Sequence, residues 1–358
     1  MSSTPEISLL IPVYNVERYL RPCLQSARWQ TFSDIEVICI NDGSTDDSRS
    51  IIEEFLSDER FRVIDKPNSG YGASMNCGLR AARGRYIAIL ESDDFLDEDA
   101  LSRMHRVAIE WDAQVVKADF YLHWSHPKPR DERFGLVVPS LVGKVMRPED
   151  DPRIFYAKPS IWSALYRADF LKENGIGFLE TPGASYQDSS FNFKVWTSAD
   201  RVAFMPEAFL HYRQDNESSS VNSPGKAYCV CDECAEMERF LAARPEKEER
   251  LRPVLLKVKY DSYLWNYERL SPRFQLEFLR RVAEEFGEHA REEAFAAMPL
   301  EPWKREDLCR ILASPERYHR RRAAFARFGR AGKMLHYLAM GGPSMLSTIA
   351  RTKRESGR

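Results

Sequence analysis

Over the first 121 residues, short apolar runs alternate with longer stretches whose apolar residues recur at helical spacing. Ile7 to Val13, Ile35 to Ile40, Phe61 to Ile64, Arg85 to Leu90 and Gln114 to Tyr121 read as strands. Between them, Val16 to Gln30 carries Val16, Leu20, Leu24 and Ala27 on one face. The helix entered at Ser44-Thr45-Asp46-Asp47 carries Ile51, Ile52, Phe55 and Leu56, and Ala73 to Arg83 and Glu98 to Trp111 complete the set. Parallel strands need a crossover, and a helix supplies it, so this alternation predicts a mostly parallel sheet with helices on both faces. The fold class expected is α/β, a doubly wound mixed sheet. Ligands of such sheets lie beyond the carboxyl ends of the strands. The residues just after each strand are therefore the ones to read for chemistry.

Two of those ends are acidic. Ile87-Ala88-Ile89-Leu90 runs into Glu91-Ser92-Asp93-Asp94, and the second strand runs into Asn41-Asp42-Gly43-Ser44. Clustered carboxylates repel one another unless a cation sits among them, and a hard divalent ion with a phosphate is the natural occupant. Successive residues at a strand end point different ways, so Asp93 and Asp94 can serve different ligands. One takes the sugar hydroxyls of a nucleotide and the other the cation. Capping the next helix would use a single acid, and Asp97 is better placed for that. Asp42 offers an acceptor to a base or ribose, with Gly43 allowing close approach, although Asn-Asp-Gly-Ser also makes an ordinary turn and cap. In Asn68-Ser69-Gly70-Tyr71-Gly72 the third glycine of a dinucleotide fingerprint would fall at Met75, and no phosphate-binding G-x-x-x-x-G-K-[ST] occurs. That segment reads as a loop over a nucleotide or as a plain helix start.

From about residue 122 the pattern changes. His123 to Arg133, with Pro127 and Pro129, reads as a loop. In the mixed region after it, Trp162, Tyr166, Phe170 and Tyr186 to Trp196 suggest helices packed back on the sheet. Asp188 is either a general base at a helix start or the N-cap of that helix. Phe209-Leu210-His211-Tyr212-Arg213 follows an apolar strand. His211 there is a metal ligand or a hydrogen-bonded structural residue, and Arg213 offers a planar fork to phosphate. From Ala227 to about Leu312 the chain reads as helix after helix. Cys229-Val230-Cys231-Asp232-Glu233-Cys234 lacks the second Cys or His pair of a zinc site.

The length of 358 residues predicts two or three domains. A formal net charge of -2 argues against nucleic acid as a partner. The N-terminus has no basic segment followed by an apolar one, which predicts no secretory signal and a cytoplasmic chain with free thiols. No apolar run approaches the roughly 18 residues of a spanning helix. The C-terminal segment carries Arg320-Arg321-Arg322, Arg327, Arg330, Lys333, Arg351, Lys353 and Arg354, interleaved with Phe325, Phe328, Leu335 and Tyr337. It reads as a peripheral contact with an anionic membrane at its inner face, or as a solvated helix or frayed tail.

The three segments Ile11-Pro12-Val13-Tyr14-Asn15, Asn41-Asp42-Gly43-Ser44-Thr45-Asp46, and Gly84-Arg85-Tyr86-Ile87 leading to Ser92-Asp93-Asp94 resemble glycosyltransferase family 2. These are nucleotide-sugar-dependent enzymes of the GT-A fold. The resemblance covers about residues 6 to 120, weakens to 220 and fades beyond. It implies that Pro12, Tyr14 and Asp42 line the nucleoside pocket and that Asp93 holds the ribose. Asp94 would hold Mg2+ or Mn2+ bridging the diphosphate, and Asp188 would be the catalytic base. His211 and Arg213 fall in the segment that closes over the diphosphate, with His211 on the metal and Arg213 on the donor. The sequence departs from the family at Glu91 in place of Asp, at Gln187 before Asp188, and at Met75 where many relatives carry Arg.

The implied organisation is a donor half over 1–120, an acceptor half over 121–222, a helical C-terminal extension over 223–316 and a basic tail over 317–358. The implied activity is inverting transfer from a nucleoside-diphosphate sugar, expected to be a UDP-sugar, to a glycan or lipid-linked glycan acceptor in cell-surface polysaccharide synthesis. The alternatives are a nucleotidyltransferase on a similar sheet and a nucleotide-sugar-binding protein without catalysis.

Overall fold

The computed structural model describes residues 4–183, 185–216, 228–326, 328–329, 331–332, 334–338, 345–347 and 349–350. Of the basic tail, Arg327, Arg330, Lys333, Arg351, Lys353 and Arg354 lie outside the described residues. The chain divides into two compact units, Met1–Ser223 with Ala235–Phe240, and Pro224–Cys234 with Leu241–Arg358.

The first unit is built on one ten-stranded sheet. Its strands are β1 (Ile7–Val13), β2 (Ile35–Asn41), β3 (Phe61–Asp65), β4 (Tyr86–Ile89), β5 (Phe95–Leu96), β6 (Val115–Trp124), β7 (Arg130–Arg133), β8 (Val145–Met146), β9 (Ala164–Arg167) and β10 (Val202–Arg213). Its helices are α1 (Glu17–Arg28), α2 (Ser48–Glu53), α3 (Tyr71–Ala81), α4 (Ala100–Glu110), α5 (Ala168–Glu173) and α6 (Gln187–Ser198). The strand order is β3-β2-β1-β4-β9-β6-β10-β5, with β7 on β6 and β8 on β10. Pairings β1–β2, β1–β4, β2–β3 and β6–β10 are parallel. Every residue of β1 and β2 is buried, as expected of strands covered on both faces.

Three sequence expectations change. Tyr166 lies on strand β9, which runs antiparallel between β4 and β6, and Trp162 sits in a short 3-10 turn. A four-residue strand buried on both faces has no polar alternation to show. The expected loop from His123 to Arg133 contains the end of β6 and all of β7, which pair antiparallel. The helix expected at Ser44 begins at Ser48 instead. The residues before it satisfy α1: Ser44 Oγ accepts from Asn15 N at 3.2 Å, Asp46 Oδ2 from Glu17 N at 3.0 Å, and Ser48 Oγ from Val16 N at 3.0 Å. The approach to α1 and its first N–H, at Glu17, are thus bonded from the neighbouring segment.

A buried polar knot secures the entry to β4. Ser8 Oγ donates to Glu36 Oε1 at 2.6 Å, and Gly84 N donates to Ser8 Oγ at 2.8 Å. Arg83 N donates to Glu36 Oε1 at 2.7 Å, and the Arg83 and Arg62 guanidinium groups reach Oε2 at 3.0 and 3.1 Å. A Cβ at Gly84 would stand 2.4 Å from Ser8 N, so only glycine lets the chain pass. Burial acts to raise the Glu36 pKa, but the bonds from Ser8 and Arg83 and the charge of Arg62 outweigh it and hold the carboxyl below its usual range. A carboxyl lowered in the folded state stabilises above its unfolded pKa and loses that contribution as pH falls through the folded value. Glu36→Gln should therefore lower the melting temperature at neutral pH and flatten its decline below about pH 4.5. An unchanged acid slope in the variant would remove Glu36 from that role.

The second unit is helical. Helices α7 (Cys229–Ala242), whose Ala235–Phe240 belongs to the first unit, α8 (Pro245–Arg269), α9 (Pro272–His289), α10 (Glu293–Ala297), α11 (Pro302–Ala313) and α12 (Pro315–Ala326) follow in order. Helices α8, α9 and α11 each open on proline, whose missing N–H costs nothing at that position. Leu255, Tyr263, Phe278, Val282, Phe286 and Ile311 are buried within this unit. Tyr263 buries its ring and donates its hydroxyl to Glu285 at 2.6 Å. Among the described residues no helix is long and apolar enough to cross a membrane.

Candidate active site

The acidic turn closes tightly after β4, with Asp94 N bonded to Glu91 O at 3.0 Å, and leads into β5, which pairs with β10. Asp94 is buried, at 1% exposure. Its Oδ1 accepts from Arg213 N at 2.8 Å, and its Oδ2 has no hydrogen-bond partner among the described residues. The neighbouring Asp93 carbonyl accepts from Arg213 Nε at 2.7 Å, and Asp93 Oδ2 accepts from Asn216 Nδ2 at 2.8 Å. The end of β10 is thereby tied to the turn. Burial first, then the charge of Asp93, pushes the Asp94 carboxyl well above its usual range. A buried carboxylate oxygen with no donor is costly. A hard divalent cation would remove that cost, so the partnerless oxygen fits the cation site expected from the sequence. Glu91 accepts from the Tyr71 hydroxyl at 2.6 Å, and burial, with Asp93 and Asp188 nearby, pushes it up to about 8.

Asp188 lies in the first turn of α6. It does not cap the helix: the N-cap position is Tyr186, which makes no side-chain cap bond. Tyr186 has φ 59°, a left-handed conformation that an aromatic residue rarely adopts. Strain of that kind concentrates at functional sites. Burial pushes Asp188 up to about 6, with the Lys158 charge acting against it. The Tyr212 hydroxyl reports that these groups converge. Burial raises it, and Asp94, Asp93, Asp188 and Glu91 all act on it in the same direction.

The glycines of Asn68 to Gly72 serve docking. Tyr71 N donates to Gly183 O at 3.0 Å, and a Cβ at Gly72 would lie 2.0 Å from Leu179 O. Helix α3 thus starts flush against the segment that delivers Asp188. Gly72→Ala should force these backbones apart and cost about 1–3 kcal/mol of stability, read as a lower denaturation midpoint. A midpoint equal to wild type would show that the contact yields freely.

The other candidates have these places. Pro12 is buried at the end of β1, paired with Ile40, and Tyr14 beyond it is exposed. Asp42, at the end of β2, accepts from Ser69 N at 2.9 Å, from Gly70 N at 3.0 Å and from the Lys66 ammonium. Its carboxylate shapes the loop before α3. The Arg213 guanidinium is buried, bonded to the Asp93 carbonyl and Ser125 and stacked over Tyr19 at 4.7 Å. His211 Nδ1 lies 2.9 Å from Asp131, its Nε2 lies 3.0 Å from Asp97, and its ring stacks on Phe95 at 4.4 Å. Asp97 therefore serves His211, while Asp99, at the N-cap position of α4, makes no side-chain cap bond. His123, Asp131 and His211 bring one ligand atom each within 4.8 Å of one another, a second group that could hold a metal ion. The sequence reading did not single out Lys158, Tyr71, Asn216, His123 or Asp131 as site residues. Long-range pairing alone brings these in.

A doubly wound sheet with a buried acidic turn at its carboxyl edge, and a helix-borne Asp within electrostatic reach of that turn, is the arrangement of the GT-A fold. Comparison with known proteins agrees. Residues 8–151 match the family model "Glycosyl transferase family 2". It is similar to EpsH of Bacillus subtilis (strain 168), a glycosyltransferase by name, at 34% identity over 220 residues, 59% of this chain and 61% of EpsH. It is also similar to the chondroitin synthase of Escherichia coli, at 42% identity over 102 residues, 28% of this chain and 15% of that protein. The match thus spans about three-fifths of EpsH and a small part of the synthase. Among solved structures, S. aureus TarS 1-349 in complex with UDP superposes with TM-score 0.70 at 20% identity, covering 91% of this chain and 92% of TarS 1-349, which shows the shared fold.

Proposed function

We propose that this chain is an inverting glycosyltransferase that moves a sugar from a nucleoside-diphosphate donor to a hydroxyl of a glycan or lipid-linked glycan. The observation that carries the reading is the partnerless Asp94 Oδ2 in the same group of charges as the raised carboxyl of Asp188. One position suits a cation and the other a general base. Asp188, ionised above about pH 6, accepts the proton of the acceptor hydroxyl as that oxygen attacks the anomeric carbon. A single displacement inverts the anomeric centre. A divalent cation held by Asp94, Mg2+ or Mn2+, would supply charge neutralisation for the departing diphosphate. Pro12, Tyr14 and Asp42 form the nucleoside side, and Asp93 takes the ribose. Arg213 acts on the donor by fixing the Asp93–Asp94 turn. His211, the other metal candidate, belongs to the His123–Asp131 group.

UDP is the nucleotide proposed, supported by the UDP complex of TarS, which shares the fold. The likeness to a chondroitin synthase supports a polysaccharide acceptor. Calorimetric titration with UDP, GDP and TDP, each with and without Mn2+, tests the donor assignment. Metal-dependent binding of UDP alone is the expected result, and tighter binding of GDP or TDP would replace the nucleotide. Wild-type protein that binds none of the three would overturn the transferase reading.

A further inference from the structure

Lys158 occupies a cage of aromatic rings. Its ammonium stands 4.2 Å from the Tyr212 ring centroid, 5.7 Å from Phe120, 5.7 Å from Phe134 and 6.0 Å from Trp162. The walls brace one another: Trp162 stacks on Tyr212 at 4.8 Å, Phe120 stacks on Phe134 at 4.6 Å, and Phe120 meets Trp162 edge-on at 4.5 Å. Ring faces hold a cation by their quadrupoles but leave its three N–H donors without oxygen acceptors. Among the described residues the Lys158 ammonium makes no hydrogen bond or ion pair. Other enclosed lysines differ: Lys117 donates to Ser160 Oγ at 2.8 Å, and Lys194 reaches Glu236 at 3.1 Å.

A cation kept this way is expensive unless an anion comes to it. Burial lowers the Lys158 pKa, and the two charges that act to raise it are Asp188 and Asp94. Lys158 therefore lies within electrostatic reach of both the proposed base and the proposed cation ligand. Arg213, the cation that the sequence offered for phosphate, is already committed to the Asp93 carbonyl, Ser125 and Tyr19.

We propose that Lys158 binds an anionic oxygen of the donor's diphosphate and carries part of the charge that develops there as the sugar leaves. The inference rests on the glycosyl-transfer reading. In that step the bond between the anomeric carbon and the diphosphate oxygen breaks, and its electron pair stays on that oxygen. The acceptor oxygen forms the new bond, and its proton goes to Asp188. The Lys158 ammonium keeps its own proton and acts as a fixed positive charge beside the leaving group. The cage fixes the direction of the stem, so little side-chain freedom is lost on binding.

The test is calorimetry with UDP and with uridine, both in Mn2+, on wild type, Lys158→Met, Lys158→Gln and Lys158→Arg. Methionine fills the cage without charge, glutamine provides a second neutral variant, and near-UV circular dichroism reports that each has folded. Loss of a charge-assisted bond predicts UDP affinity at least about tenfold weaker in the neutral variants. Uridine affinity should stay within about twofold, and arginine should restore most of the UDP affinity. Unchanged UDP affinity in a folded neutral variant would overturn the proposal. Equal losses for UDP and uridine would also overturn it, since they indicate a structural role. Failure of the transfer reading shows separately, as wild-type protein that binds no nucleoside diphosphate.

Discussion

Asp188→Asn should lower sugar transfer by about 10²- to 10⁴-fold while UDP affinity stays within about twofold. Asparagine keeps the shape and cannot take a proton. The expectation rests on geometry first. Asp188 stands in the first turn of α6, free of capping duty, behind a strained Tyr186 and within electrostatic reach of Lys158 and Glu91. Its carboxyl, raised to about 6 by burial, also sets a pH profile. The base works only when ionised, so kcat/KM should fall about tenfold per unit below pH 6 and level off above it. In Asp188→Asn that acidic limb should be absent from the residual activity. A variant with near-normal transfer, or one that keeps the same limb, would assign the base elsewhere.

The second large effect is expected at Asp94. Asp94→Asn should abolish the Mn2+-dependent part of UDP binding, a loss on the order of 100-fold or more. The amide oxygen can still accept from Arg213 N, so the tie between the turn and β10 survives. What disappears is the charge at Oδ2, the buried oxygen that no donor among the described residues satisfies. Metal-free Asp94→Asn should melt at the same temperature as wild type or higher, because an unpaired buried carboxylate destabilises the fold that holds it. A variant that keeps its metal-dependent affinity would move the cation to another site. The His123–Asp131–His211 group would then be examined by His123→Gln.

Much of the fold over the first 120 residues was legible because its signals are local. Ile87 to Asp94 shows an apolar run breaking into acids, which a parallel strand buried on both faces does wherever it reaches a polar rim. The polar residues Ser44 to Asp47 advertised the cap of α2, where Asp46 Oδ1 accepts from Ser48 N at 3.0 Å, but not that Ser44 and Asp46 would also serve the start of α1, since a capping oxygen can serve any helix end within reach. The base role proposed for Asp188 was suggested chiefly by the family resemblance, because an Asp before two serines is equally good cap chemistry.

The sequence by itself determined the alternation of strands and helices, the acidic ends of β2 and β4 and the helical character of the second unit, each written in residues close together in the chain. Only the tertiary structure decided that β9 would enter the sheet antiparallel, that Arg213 would be spent on Asp93, and that Lys158 would stand among rings from positions 120, 134, 162 and 212. The physical reason is range. Hydrophobic period and turn chemistry act between neighbours in the chain, whereas a cage, a partnerless oxygen and a shifted carboxyl arise from groups that meet only after the sheet has formed.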